Sequence, residues 1–197
     1  SSSSTAENEV TLTNSVRGAG KHLNTSRPKS TADAINDIEV TNNQVITSIN
    51  NDGFSIGTDA DVNTNNIKYT AYCFRAGGSS TTSNSLGSIT SQVSVNAEAG
   101  FSIVTYTGNG VLGATVGHGL GKKPKLIMVK SLNTNAKWRV YHFGMGGYFN
   151  QQYPIDGGHL AATMAYDSTD PRNNVAYWND TSPTNTVFTI GNSAETN

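Results

Sequence analysis

The stretch VGHGLGKKPKLIMVK, residues 116–130, sets three glycines, a histidine and adjacent lysines ahead of an apolar run. Its reading decides between a nucleotide-binding α/β fold and a β-fold. A phosphate cradle of the Walker type needs G-x-x-x-x-G-K-[ST] opening a helix. Here Lys123 stands where Ser or Thr belongs, and Pro124 with a β-type apolar run follows. SVRGAGKHL, residues 15–23, fails in the same way, because Ser15 and His22 occupy the positions of Gly and Ser/Thr. The alternative accounts for each residue. Gly117, Gly119 and Gly121 permit tight turns with positive φ. Pro124 starts a strand and is unsuited to its interior. Leu126, Ile127, Met128 and Val129 then form a strand expected to be buried on both faces. His118 is expected to hydrogen-bond nearby backbone rather than a ligand.

Working outward, other strand-length runs are separated by turn residues. They are GFSIG (53–57), IKYTAYCF (67–74), FSIVTYT (101–107), WRVYHF (138–143), VAYW (175–178) and VFTI (187–190). Asp52-Gly53 and Gly108-Asn109-Gly110 are turn signals between them. A helix candidate occupies 30–37 behind a Ser cap. AGGSSTTSN (76–84) reads as a low-complexity linker. The pattern predicts an all-β chain, an antiparallel β-sandwich or jelly roll.

Composition agrees. The chain has 197 residues, 14% of them charged, with a net charge of -1. That charge gives no field to hold nucleic acid or an anionic membrane, and the apolar runs are too short to span a bilayer. No charged-then-apolar leader opens the sequence and residue 1 is Ser, so the chain is expected to be processed or part of something longer. Cys73 is the only cysteine, which excludes an internal disulfide and a cysteine zinc site; flanked by Tyr72 and Phe74, it is expected in the core.

An internal repeat organises the chain. GFSIGTDADVN (53–63) matches VFTIGNSAETN (187–197) at constant offset, with Phe54 on Phe188, Ile56 on Ile190, Gly57 on Gly191 and Asn63 on Asn197. KHLNT (21–25) loosely matches GHLAA (158–162). Such spacing implies a duplicated module. Residues 1–75 read as the back part of one repeat, 76–99 as linker, and 100–197 as the front of a second. The first copy continues into IKYTAYCF, whereas the second stops at Asn197. Three completions are open: residues 67–74 of the same chain, a strand from a neighbouring subunit, or further chain. The separating linker favours the latter two.

Chemistry-bearing constellations are sparse. Asp59, Asp61, Asn63 and Asn65 resemble the start of a calcium loop, but no bidentate Glu follows, and Asp59 and Asp61 align with Ser193 and Glu195; a hairpin loop is the better reading. His22, His118, His142 and His159 lack zinc-ligand spacing, and no carboxylate pair is spaced for acid–base work. No metal, cofactor or catalytic residue is assigned. Aromatics are the best ligand candidates, since a sugar face stacks on a ring while polar groups take its hydroxyls. Tyr148, Phe149 and Tyr153 lie in the loop GMGGYFNQQYPIDGG (144–158), the first choice because exposed loops carry recognition. Trp138, His142 and Trp178 follow, with core packing the competing role of the tryptophans.

The order SVRGAGKHL, DGFSIG-x-x-x-x-VN, YTAYCFRAGG, ITSQVSVNAEAGFSIVTYTGNG, TVGHGLGKKPKLIMVK and WRVYH resembles a repeat module of tail-fibre and virion-appendage proteins of marine bacteriophages. The resemblance covers nearly everything after Val10 and is most specific over 88–130. It implies a lectin-type, concanavalin-like jelly roll on the virion surface and a non-enzymatic role in attachment to host-surface glycan. A purely structural filament or decoration unit is the alternative. Identical subunits, as a trimer or by head-to-tail strand exchange, and other virion proteins are the implied partners. Nucleic acid and membrane are not.

Overall fold

A computed structural model describes residues 10–24, 38–134, 136, 138–142, 174–179 and 181–197. The helix candidate at 30–37, the loop at 144–158 and the match at 158–162 lie outside the described residues. The fold is all-β, with strands in several small antiparallel sheets.

The N-terminal sheet joins β1 (Thr11–Leu12), β2 (Lys21–Asn24) and β3 (Val40–Thr41). SVRGAGKHL is the turn between β1 and β2. Arg17 N–H donates to Asn14 Oδ1, and the Arg17 guanidinium pairs with Glu39 at 2.9 Å. Gly18 and Gly20 take positive φ there. β4 (Ile46–Ile49) and β5 (Phe54–Ile56) form a hairpin closed by Asn50 N–H on Gly53 O at 2.8 Å. A one-turn helix, α1 (Ala60–Asn63), follows.

The second half holds the main core. β6 (Thr82–Asn84), β7 (Ser91–Asn96) and β8 (Phe101–Tyr106) form one sheet in that order. β9 (Thr115–Gly117) pairs with β12 (Val187–Thr189), and β10 (Leu126–Val129) with β11 (Arg139–His142). Helix α2 (Asn174–Trp178) precedes β12. Ile89, Ala114, Val116, Val129, Tyr141, Trp178, Phe188 and Ile190 share one buried cluster.

Several sequence expectations are corrected. Residues 67–74 are exposed and pair with no described strand; β-propensity becomes a strand only where a sheet receives the segment. They therefore do not complete the second copy. Its strand β12 pairs instead with β9 of the same chain. Cys73 is exposed with that segment. VAYW is helical: the α2 turn aims Ala176 and Tyr177 carbonyls at Ser193 and Gly191 N–H groups, and this tertiary need overrides strand propensity. The 76–99 linker contains β6 and β7. Serine hides the pattern there, since Ser91 and Ser94 are buried with their hydroxyls donating to Gly117 O and Gly78 O. In β10, Leu126 faces solvent, so the strand is not buried on both faces. Gly119 and Gly121 do take positive φ, at 74° and 67°. Gly117 instead lies in β9, where a Cβ would strike the Asn84 side chain. The Asp59–Asn65 stretch begins as α1 rather than as a hairpin loop.

Candidate functional site

The repeated stretches fold into the same unit bond by bond. Asn50 N–H donates to Gly53 O at 2.8 Å, as Thr184 N–H does to Val187 O at 2.9 Å. Gly57 N–H reaches Val45 O at 3.0 Å, and Gly191 N–H reaches Tyr177 O at 2.9 Å. Asp59 N–H donates to Gln44 O and Ser193 N–H to Ala176 O, both at 3.0 Å. Each then opens a helical turn. Asp59 Oδ1 caps Asp61 N–H at 2.9 Å, and Ser193 Oγ caps Glu195 N–H at 3.3 Å. Each closes on an asparagine: Asn63 Nδ2 donates to Gly57 O at 2.7 Å, and Asn197 Nδ2 to Gly191 O at 2.8 Å. Asp59 Oδ2 is also engaged, by Asn42 Nδ2 at 2.7 Å.

In the second copy the unit is clasped by the segment before β9. Asn197 Oδ1 accepts Asn109 N–H at 2.7 Å and Gly110 N–H at 3.0 Å, and Asn197 Nδ2 also donates to Val111 O. The part-buried Tyr106 hydroxyl donates to Thr196 O at 2.5 Å, and desolvation pushes that phenol well above its ordinary range. Arg139, buried on β11, forms an ion pair with Glu195, donates to Tyr177 Oη at 2.7 Å and lies over the Tyr177 ring, 3.7 Å from its centroid. This cluster fixes the turn to β11 and α2; a guanidinium suits a buried role when its donors are matched this way.

His118 completes the β9 side. Its Nδ1 accepts Leu120 N–H at 3.2 Å and its Nε2 faces Thr184 O at 3.3 Å. One nitrogen accepts and the other donates, which is the neutral imidazole. Burial lowers its pKa, partly offset by the Thr184 carbonyl. The opening loop is thus a turn whose histidine ties two loops together.

The sequence-predicted ligand residues separate. Trp138 and Trp178 are buried, each 6% exposed, and Trp178 meets Tyr141 edge-on at 6.1 Å. Neither offers a face for a sugar. His142 is exposed at the end of β11. Tyr148, Phe149 and Tyr153 lie outside the described residues. Among the described residues no cluster of His, Cys, Asp and Glu is placed to hold a metal ion, and no helix is long and apolar enough to cross a membrane. Sequence reading missed Arg139, Tyr106 and Glu195. Only Asn197 carried a signal, its alignment with Asn63.

The family described as "Domain of unknown function (DUF7483)" matches residues 2–197, and the chain belongs to it. No curated protein and no solved structure matches the chain.

Proposed function

We propose that this member of the DUF7483 family is a non-enzymatic segment of a phage virion appendage of the tail-fibre kind, built from a repeated β-module and serving attachment to host-surface glycan. The observation that supports this reading is the repeat: one strand-and-turn unit is rebuilt with the same bonds twice in one chain. A unit of that kind extends by adding copies, as an elongated appendage requires. The ion pair at the second unit, between buried Arg139 and partly exposed Glu195, holds a turn in place. A sandwich or jelly-roll arrangement of the complete module, virion-surface location and a homo-oligomer, expected as a trimer, belong to the same reading.

Glycan contact falls to the loop carrying Tyr148, Phe149 and Tyr153, with exposed His142 just ahead of it. A second reading, a structural filament or decoration unit with no ligand, is favoured by the burial of both tryptophans, which withdraws the largest stacking surfaces. A glycan array probed with the intact protein separates the two. Binding that is lost in Tyr148→Ala and Tyr153→Ala variants supports attachment. An array without signal leaves the structural role. Loss of polysaccharide viscosity on incubation would overturn both in favour of an enzyme.

A further inference from the structure

The two units differ in what covers them. In the second copy β9 lies along β12 with Phe188 opposite Val116, Ile190 N–H donates to Ala114 O at 2.8 Å, and His118 N–H to Thr186 O at 3.2 Å. In an antiparallel pair, bonded positions alternate. Phe188 and Ile190 therefore turn their backbone groups toward β9. The same alternation runs through the first copy. The bonds of Asn50 to Gly53 and of Gly57 to Val45 place Ser55 against β4 and turn Phe54 and Ile56 to the other edge. Among the described residues nothing pairs with that edge. The side chains tell the same story: Phe54 and Ile56 are each 42% exposed, whereas Phe188 is 3% and Ile190 0%. Asn63 Oδ1 has no described donor, where Asn197 Oδ1 has Asn109 and Gly110.

We infer that the open edge of β5 is a docking site for a further copy of the module's front half, a strand of the kind formed by residues 107–117 (TGNGVLGATVG). The internal repeat identifies this occupant, because it displays the same acceptor surface with its partner in place. The incoming strand aligns antiparallel to β5. Its Asn-Gly turn donates two N–H groups to Asn63 Oδ1, and its valine packs on Phe54. Stoichiometry sets the source. The described residues hold two acceptor units and one front half, and that front half already lies on β12. A second copy of this chain could fill β5 only by uncovering its own Phe188 and Ile190. The occupant is therefore an additional front half, from a module beyond the two copies present here. Such strand addition gives affinity through main-chain bonds and specificity through alternate side chains. The inference does not rest on the attachment reading, since a chain that binds no glycan would still take up the strand.

The test is a titration of the isotope-labelled full chain with a synthetic TGNGVLGATVG peptide, followed by amide NMR shifts. Saturable shifts at Phe54, Ile56 and Asn63, with Phe188 and Ile190 unmoved, are expected. Asn63→Ala, on an exposed position, should weaken binding by about tenfold, the equivalent of losing one to two hydrogen bonds. The inference is overturned if a scrambled peptide binds equally well, if the shifts fall on β12, or if β5 is unmoved at millimolar peptide.

Discussion

Residues 53–63 and 187–197 make the same turn with the same bonds, yet one is a surface and the other is core. The turn's shape is therefore local. A Cβ at Gly57 would strike the Gln44 backbone, the Asp or Ser cap opens the helical turn, and the final asparagine closes it. Burial is not local. It comes from β8, β9 and the 107–113 turn, which reach β12 and have no described counterpart on β5. A repeat fixes conformation in each copy, and stability accrues only where the partner strand is present.

Paired substitutions can break this contrast. Phe188→Ala should cost about 3–5 kcal/mol by removing a buried ring and leaving a cavity. Phe54→Ala, at the same repeat position, should stay within about 1 kcal/mol in chemical denaturation. Equal costs would mean that β5 is covered after all. Glu195→Ala removes the carboxylate that pairs with the buried Arg139 and should cost about 3 kcal/mol, the low end for a broken buried pair because Glu195 is partly exposed. Asn197→Ala removes four hydrogen bonds and should cost about 2 kcal/mol, against less than about 1 kcal/mol for Asn63→Ala, which removes one.

The smallest effect concerns pH. Burial lowers the His118 pKa in the folded chain, so the native state resists a proton that the unfolded chain accepts near pH 6.5, an ordinary histidine value of about 6.5. This contribution is whole above the unfolded value and is lost as pH falls toward the folded one. His118→Gln should give a shallower loss of stability between about pH 7 and about pH 5 than the parent chain. An unchanged slope would remove His118 from the β9–β12 contact as a titrating group.

Much of the fold was legible because strand and turn chemistry coincided. FSI at 54–56, FSIVTY at 101–106, LIMV at 126–129, RVYH at 139–142 and VFT at 187–189 all form strands. IKYTAYCF and VAYW show the limit: both have strand composition, but the first pairs with no described strand and the second serves as a helical carbonyl platform. β7 was hidden for the opposite reason, since a serine that finds a carbonyl is buried as readily as a valine, and hydropathy does not register it. Within the site, the Asn63–Asn197 match was readable by alignment. The pairing of Arg139 with Glu195 was not, because nothing along the chain relates two residues brought together only by the sheet.

Amide hydrogen exchange at four positions tests the central claim most directly. If the second unit is clasped and the first is open, Phe188 and Ile190 exchange only through global unfolding, while Phe54 and Ile56 in the isolated chain exchange near the rate of free peptide. Equal, strong protection at all four amides would contradict the account.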